Sequence, residues 1–187
     1  MKYIIEHMED EMYDWCILEY NHISKVVGSE NLIITNVKVG AEKIQHFGKI
    51  VSESVSEMGL DLKQVCLLDP DAETRLNTSD KQKFDYLLFG GILGDYPRKK
   101  RTKELATVID CPKRNLGDKQ MSTNTAVYVA HLIMKGKKFE NTHFAEELEI
   151  VTGEHESVTL PFRYVIEDGE AVLPDGFIEF MQHREEF

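Results

Sequence analysis

Two carboxylates, a glycine-rich turn and a run of small hydroxyl residues are the parts of this sequence whose types and spacing can do chemistry. Glu6 closes the apolar stretch Tyr3-Ile4-Ile5, and Glu19 lies in the middle of a helical stripe of Met12, Trp15, Cys16, Ile23 and Val26. A carboxylate on a buried face is costly unless it has a partner. Two readings of Glu19 follow. It pairs with a lysine or arginine of the fold, Arg163 being one, or it is kept for a cationic ligand. The acidic run Glu6, Glu9, Asp10 and Glu11 reads either as a solvated helix start or as a landing place for a basic partner.

The turn is Phe89-Gly90-Gly91-Ile92-Leu93-Gly94-Asp95-Tyr96-Pro97, with three glycines in five positions. Glycine permits positive φ and close backbone approach. A phosphate loop would open directly into a helix and carry a lysine, and neither is present here. The pattern suits a flat, partly apolar ligand held by main-chain groups, although structural turns share it. A second loop, Asp69-Pro70-Asp71-Ala72, follows the apolar Leu67-Leu68. A third segment, Asn115-Leu116-Gly117 through Met121-Ser122-Thr123-Asn124, leads into a helical pattern, with Ser122 placed as its N-cap.

These residues must be positioned by elements that alternate along the chain. Strands are expected at 3–6, 32–35, 64–68 and 85–89, and helices at 13–27, 41–58, 100–108 and 122–135. Ser79 is expected to cap a short helical turn before the fourth strand. After Phe139 the rhythm changes to a strand over 157–166, a turn at Asp168-Gly169, and a last helix opened by Pro174. Alternation of this kind implies an α/β domain with a mostly parallel sheet, and ligands of such sheets sit at the carboxyl ends of the strands. One domain over residues 1–187 is expected, with 139–187 as a C-terminal extension.

Bulk properties narrow the classes. The 187 residues are 42% hydrophobic and 29% charged, ordinary values for one well-buried domain. No apolar run approaches the roughly 20 residues that cross a bilayer, and the start lacks a signal-peptide pattern, so a cytosolic, membrane-free location is expected. Cys16, Cys66 and Cys111 are odd in number and far apart, which points to buried free thiols. The histidines form no i, i+4 pair, so no metal is expected. A net charge of −11 argues against direct nucleic-acid binding and suits a cationic partner. The run Arg98-Lys99-Lys100-Arg101, followed by Lys103, goes against that balance.

The phrases Phe89-Gly90-Gly91-Ile92-Leu93-Gly94-Asp95, Arg101-Thr102-Lys103-Glu104-Leu105 and Leu116-Gly117 through Gln120-Met121-Ser122-Thr123 resemble a SPOUT-class family of protein arginine methyltransferases. So do the opening Met1 to Glu9, Val65 to Pro70, and Leu160-Pro161-Phe162-Arg163-Tyr164, so that the likeness runs from residue 1 to about 180. The resemblance implies a Rossmann-like sheet with a C-terminal deep trefoil knot, an exception to unknotted topology. It also implies S-adenosylmethionine held by three loops: Leu68, Asp69 and Pro70; Gly90, Gly91, Ile92, Leu93 and Gly94; Asn115, Leu116, Gly117, Met121 and Thr123. The implied substrate is an arginine of a basic, small-subunit ribosomal protein, and the implied state a monomer. For such a transfer Glu19 and Glu6 are the catalytic candidates by position and not by the resemblance: Glu6 ends the first strand on the side where the loops gather, Glu19 centres the apolar stripe, and carboxylates bind guanidinium bidentately. Two alternatives stand beside it: RNA methyl transfer, the commonest activity of the SPOUT class, and a non-catalytic ribosome-associated protein that keeps a cofactor-binding knot. The chain departs from the family at Arg98, Lys99 and Lys100, which make the pocket rim more basic. It departs again at Asn124, which removes a charge beside the cofactor but keeps a hydrogen-bonding side chain.

Overall fold

The computed structural model describes residues 1–91, 102–153 and 156–183. In chain order the elements of the main sheet are β1 (Lys2–His7), α1 (Asp14–Val27), β2 (Leu32–Thr35), α2 (Ala41–Ile44), β3 (Lys49–Ile50), β4 (Val65–Leu68), β5 (Tyr86–Gly91), α3 (Thr102–Val108), β6 (Lys113–Arg114) and α4 (Thr123–Met134). The six strands pair in the order β3-β2-β1-β5-β4-β6, and every pairing is parallel. All four residues of β2 and of β4 are buried, and so are the last five of β1, as expected of a sheet covered on both faces. One face carries Ile5, Leu32, Ile34, Cys66 and Leu87 beneath α1 and α4; the other carries Ile4, Val65, Leu67 and Leu88 beneath α3.

The expected helix over 41–58 does not form. After the four residues of α2 the chain reaches Gly48, where a β-carbon would stand 2.6 Å from the Leu32 carbonyl oxygen. That close approach lets Lys49–Ile50 join the sheet edge, and Val51 N–H donates to Ile34 O at 2.9 Å. Val55–Glu57 is only a single turn, capped by Ser54. Nor does Ser79 cap its turn. Asn77 does, accepting from Ser79 N at 3.0 Å through Oδ1, while the Asp80 carboxylate accepts from Asn77 N at 3.1 Å.

Beyond α4 the chain adds β7 (Phe144–Ala145), β8 (Leu148–Gly153), β9 (Glu156–Leu160), β10 (Tyr164–Glu167), β11 (Glu170–Ala171) and α5 (Phe177–His183). The strand expected over 157–166 is two strands divided at Pro161, which has no N–H for a ladder. β9 pairs with β8, whereas β10 lies between β11 and β7. Pro174 precedes α5 by a turn closed from Phe177 N to Pro174 O at 3.1 Å. Trp15 of α1 meets the ring of Phe177 at 5.2 Å between centroids, edge to face. The three cysteines are free and buried. No helix among the described residues is long and apolar enough to cross a membrane.

Candidate active site

The order of the sheet places the ends of β5, β4 and β6 side by side, so the residues at those ends lie together. The first segment turns tightly around Pro70: Ala72 N donates to Asp69 O at 3.0 Å, and Asp71 N to the Asp69 carboxylate at 2.9 Å. The third segment is bound to the first on two sides. Asp69 N donates to Arg114 O at 2.9 Å, and then Asn115 continues the pairing, donating to Thr74 O and accepting from Leu76 N, both at 2.9 Å. The Asn115 side chain donates to Ala72 O at 2.7 Å and accepts from Gly117 N at 2.9 Å. Gly117 has φ +95, and a β-carbon there would stand 3.1 Å from Phe139 Cζ. Only glycine meets both demands.

Beneath this, the turn before β5 is fixed to β6 by a buried ion pair. Asp80 is fully buried and accepts from Arg114 at 3.1 and 3.2 Å and from Lys83 at 3.1 Å. Burial opposes its charge, yet these donors and Asn77 N–H outweigh it and hold the carboxyl below its usual range. The first and third segments are therefore one unit. The second segment joins them through Thr123, whose hydroxyl donates to Gly90 O at 3.3 Å. Gly91 ends β5 against α1, where a β-carbon would stand 2.5 Å from the Tyr20 hydroxyl and 2.8 Å from Ile5 Cγ2. That hydroxyl is 2.8 Å from His7 Nδ1.

Leu68, Asp69, Pro70, Gly90, Gly91, Asn115, Leu116, Gly117, Met121 and Thr123 thus gather at one end of the sheet, while Ile92, Leu93 and Gly94 lie outside the described residues, as does the basic run 98–101. Ser122 holds the N-cap position of α4 in an extended conformation, but its hydroxyl donates to Asn124 Oδ1 at 2.7 Å and lies 2.9 Å from Thr125 Oγ1. Asn124 Nδ2 lies 3.1 Å from His22 Nδ1, so its amide ties the start of α4 to α1.

The two candidate carboxylates have opposite surroundings. Glu6 is saturated: Thr35 and Ser54 hydroxyls donate to it, the latter at 2.6 Å, and Val55 N–H adds a bond of 3.0 Å. Its carboxylate holds β1, β2 and the 54–57 turn together, which accounts for its burial without any ligand. Glu19 is 4% exposed and pairs with no cation among the described residues. The pairing with Arg163 is not made. Arg163 turns instead to Glu146 at 2.9 Å, lies 4.0 Å from Asp118, and covers the Phe144 ring. Burial pushes the Glu19 carboxyl up to about 8, opposed by a hydrogen bond from Trp15. One turn away, burial and the charge of Glu19 raise the Cys16 thiol to about 12.

Three features of the site leave little trace in the sequence. The arm at 74–76 that clamps Asn115 has no pattern of its own, and the His7–Tyr20 contact joins residues of unremarkable type. Tyr164, from β10, is 1% exposed, and its hydroxyl has no hydrogen-bond partner among the described residues. Only the largely apolar run 160–164 hints at it. Among the described residues no group of three or more His, Cys, Asp or Glu side chains could hold a metal ion.

Comparison with known proteins gives these features a context. A protein from Saccharomyces cerevisiae, protein arginine N-methyltransferase SFM1, is 41% identical over 97% of this chain and 94% of its own length. The crystal structure of the yeast arginine methyltransferase SFM1 complexed with SAH superposes with a TM-score of 0.89 at 39% identity, covering 96% of this chain and 94% of that one. The complex with SAM gives 0.89 at 38% identity, covering 97% and 89%. The dual specific Trm10 of Thermococcus kodakaraensis, at 20% identity and TM-score 0.54 over 75% of this chain and 96% of that one, shares the fold. The family model for protein arginine N-methyltransferase SFM1-like proteins matches residues 2–186, and the chain belongs to that family.

Proposed function

We propose that this protein transfers a methyl group from S-adenosylmethionine to an arginine of a basic protein. The observation that carries the reading is the convergence of the three segments at the ends of β4, β5 and β6, in a chain that matches the family over nearly its whole length. The residues present fit the cofactor. Gly117 and Gly91 leave the backbone bare where a side chain would collide, and Asn115 holds its loop through four hydrogen bonds. Leu68, Asp69, Pro70, Gly90, Gly91, Asn115, Leu116, Gly117, Met121 and Thr123 would line the adenosyl crevice, and Ile92, Leu93 and Gly94 lie outside the described residues. S-adenosylmethionine supplies an electrophilic methyl group.

The protein's part is to hold a guanidinium and receive its proton. A guanidinium is a poor nucleophile while its charge is delocalised and its protons remain. Glu19 suits this task because its carboxyl is buried without a cation among the described residues, and a bound guanidinium would restore its charge and leave a carboxylate placed to receive the proton. Glu6, occupied by three donors, serves the sheet instead.

The same reading extends to the molecule's setting. A cytosolic, small-subunit ribosomal protein is the proposed substrate, supported by the net charge of −11 and by the exposed Asp10 and Glu11 beyond the end of β1. A trefoil threading is supported by residues 114–117, which run between Asp69 on one side and residues 74–76 on the other before reaching Gly90 through Thr123. A single working chain is supported by α4, whose Val127, Val129, Ala130, Ile133 and Met134 are buried within this chain.

Incubation with labelled S-adenosylmethionine and small-subunit ribosomal fractions tests the proposal. Label recovered as methylarginine in a protein band is the expected result. Label in RNA would favour RNA methyl transfer, and cofactor binding without any transfer a non-catalytic role. Glu19→Gln is expected to lower transfer at least about a hundredfold while S-adenosylhomocysteine affinity stays within about twofold by calorimetry.

A further inference from the structure

Burying a hydroxyl without a hydrogen bond forfeits its solvation and gains nothing in return, so each such group calls for a reason. Tyr164 presents the case beside a second one. Among the described residues its hydroxyl is buried without a hydrogen-bond partner, and Glu19 is buried without a cation. The two lie within electrostatic reach of each other across the boundary between α1 and the C-terminal part of the chain. Trp15, one helical turn before Glu19, packs in the cluster that contains Tyr164, Phe162 and Phe177. After burial has raised the Tyr164 phenol above its ordinary range, the charge of Glu19 pushes it further in the same direction.

The chain neighbours of both residues touch the segments of the proposed cofactor site. Tyr20, the next residue after Glu19, reaches Gly91 at the end of β5, where the second segment begins. Arg163, the residue before Tyr164, donates its backbone N–H to Gln120 O at 2.9 Å and bridges Met121 in the third segment. Its guanidinium points away to Glu146, leaving the interior without a positive charge from that side.

Building on the arginine-transfer reading, we propose that the Tyr164 hydroxyl and the Glu19 carboxylate together seat the guanidinium of the substrate arginine, making the C-terminal part of the chain a wall of the active site. A guanidinium carries five N–H donors in a plane and needs acceptors at more than one edge. A carboxylate takes one edge in bidentate fashion, and a phenol oxygen, with free lone pairs, takes another. An ammonium has three donors around a point and gains less from this spread. Aromatic walls from Trp15, Phe162 and Phe177 exclude water, which strengthens each of these bonds. An arriving guanidinium gives Glu19 a cation and the Tyr164 oxygen a donor at once.

Tyr164→Phe tests this, because it deletes only the hydroxyl. In the full-length protein, with labelled S-adenosylmethionine and small-subunit ribosomal protein as acceptor, the transfer rate is expected to fall about ten- to hundredfold. S-adenosylhomocysteine affinity should stay within about twofold. The thermal midpoint should stay level or rise, since the folded state loses an unsatisfied group. A purely structural tyrosine would show the opposite: a lower midpoint with weakened cofactor binding, which overturns the proposal. Transfer within about twofold of the wild type overturns it as well. If the wild type methylates RNA or nothing, the arginine-transfer reading falls and takes the seat with it; if the wild type labels protein and Tyr164→Phe equals it, the seat alone falls.

Discussion

Glu6 and Glu19 are both 4% exposed, and what separates them is the number of donors within reach. Three donors offset the cost of burying Glu6, whereas Glu19 leans on Trp15 alone among the described residues. This difference has a signature in stability. With its folded value raised from 4.5 to about 8, Glu19 keeps a proton in the folded protein that the unfolded chain has lost. The unfolded state then binds fewer protons, so stability falls as pH rises from about 4.5 to about 8 and levels off beyond. Glu19→Gln removes that penalty. Its thermal midpoint is expected to exceed the wild type's by about 5 °C or more at pH 8, with the gap closing near pH 4. Equal midpoints at pH 8 would mean that Glu19 is already compensated. Both carboxylates are legible in the sequence, one at a strand end and one on an apolar stripe. Their partners are hidden there because Thr35, Ser54 and Val55 come from distant parts of the chain, and Arg163 is drawn off by Glu146.

Among the elements, β5 has the strictest sequence requirement. It lies between β1 and β4, yet finishes in two glycines, which weaken most strands. At Gly91 the cause is Tyr20, whose hydroxyl is held in place by His7 in the space that a β-carbon would take. Gly91→Ala is expected to cost about 1–3 kcal/mol of stability and to weaken S-adenosylhomocysteine binding about tenfold. Adding Tyr20→Phe, which takes away the obstructing oxygen, should restore part of both; no recovery in calorimetry of the double variant would place the clash elsewhere. Strands with continuous apolar runs are readable in the sequence, as are the long helices α1 and α4, whose periodicity is strong. The missing helix over 41–58 turns on Gly48, which reads as a minor blemish in a helical pattern but is needed for contact with β2. Likewise the divided strand at Pro161 depends on which neighbours β9 and β10 find, and the local pattern carries no record of that choice.

At the scale of the whole molecule, the net charge of −11 sets the long-range field that a cationic protein meets. Transfer to a basic protein is expected to lose roughly tenfold in kcat/KM between about 50 and 200 mM salt, since screening shortens the reach of surface charge. S-adenosylhomocysteine affinity should change little over the same range. A kcat/KM indifferent to salt would remove the acidic surface from substrate capture. Charge and α/β class are open to reading from composition and alternation, whereas the lateral order of the strands is not, because a parallel pair leaves no mark on either partner's sequence.

That lateral order bears on how the chain is made. β5 is the fifth strand in sequence but stands third from one end of the sheet, between β1 and β4. A ribosome that has released the first 85 residues has delivered β1, β2 and β3 as one ribbon and β4 as a loose piece, with nothing yet to join them. Synthesis of Tyr86–Gly91 supplies the keystone, and until then the apolar edges of β1 and β4 stay open to whatever nascent-chain caretakers attend the exit tunnel.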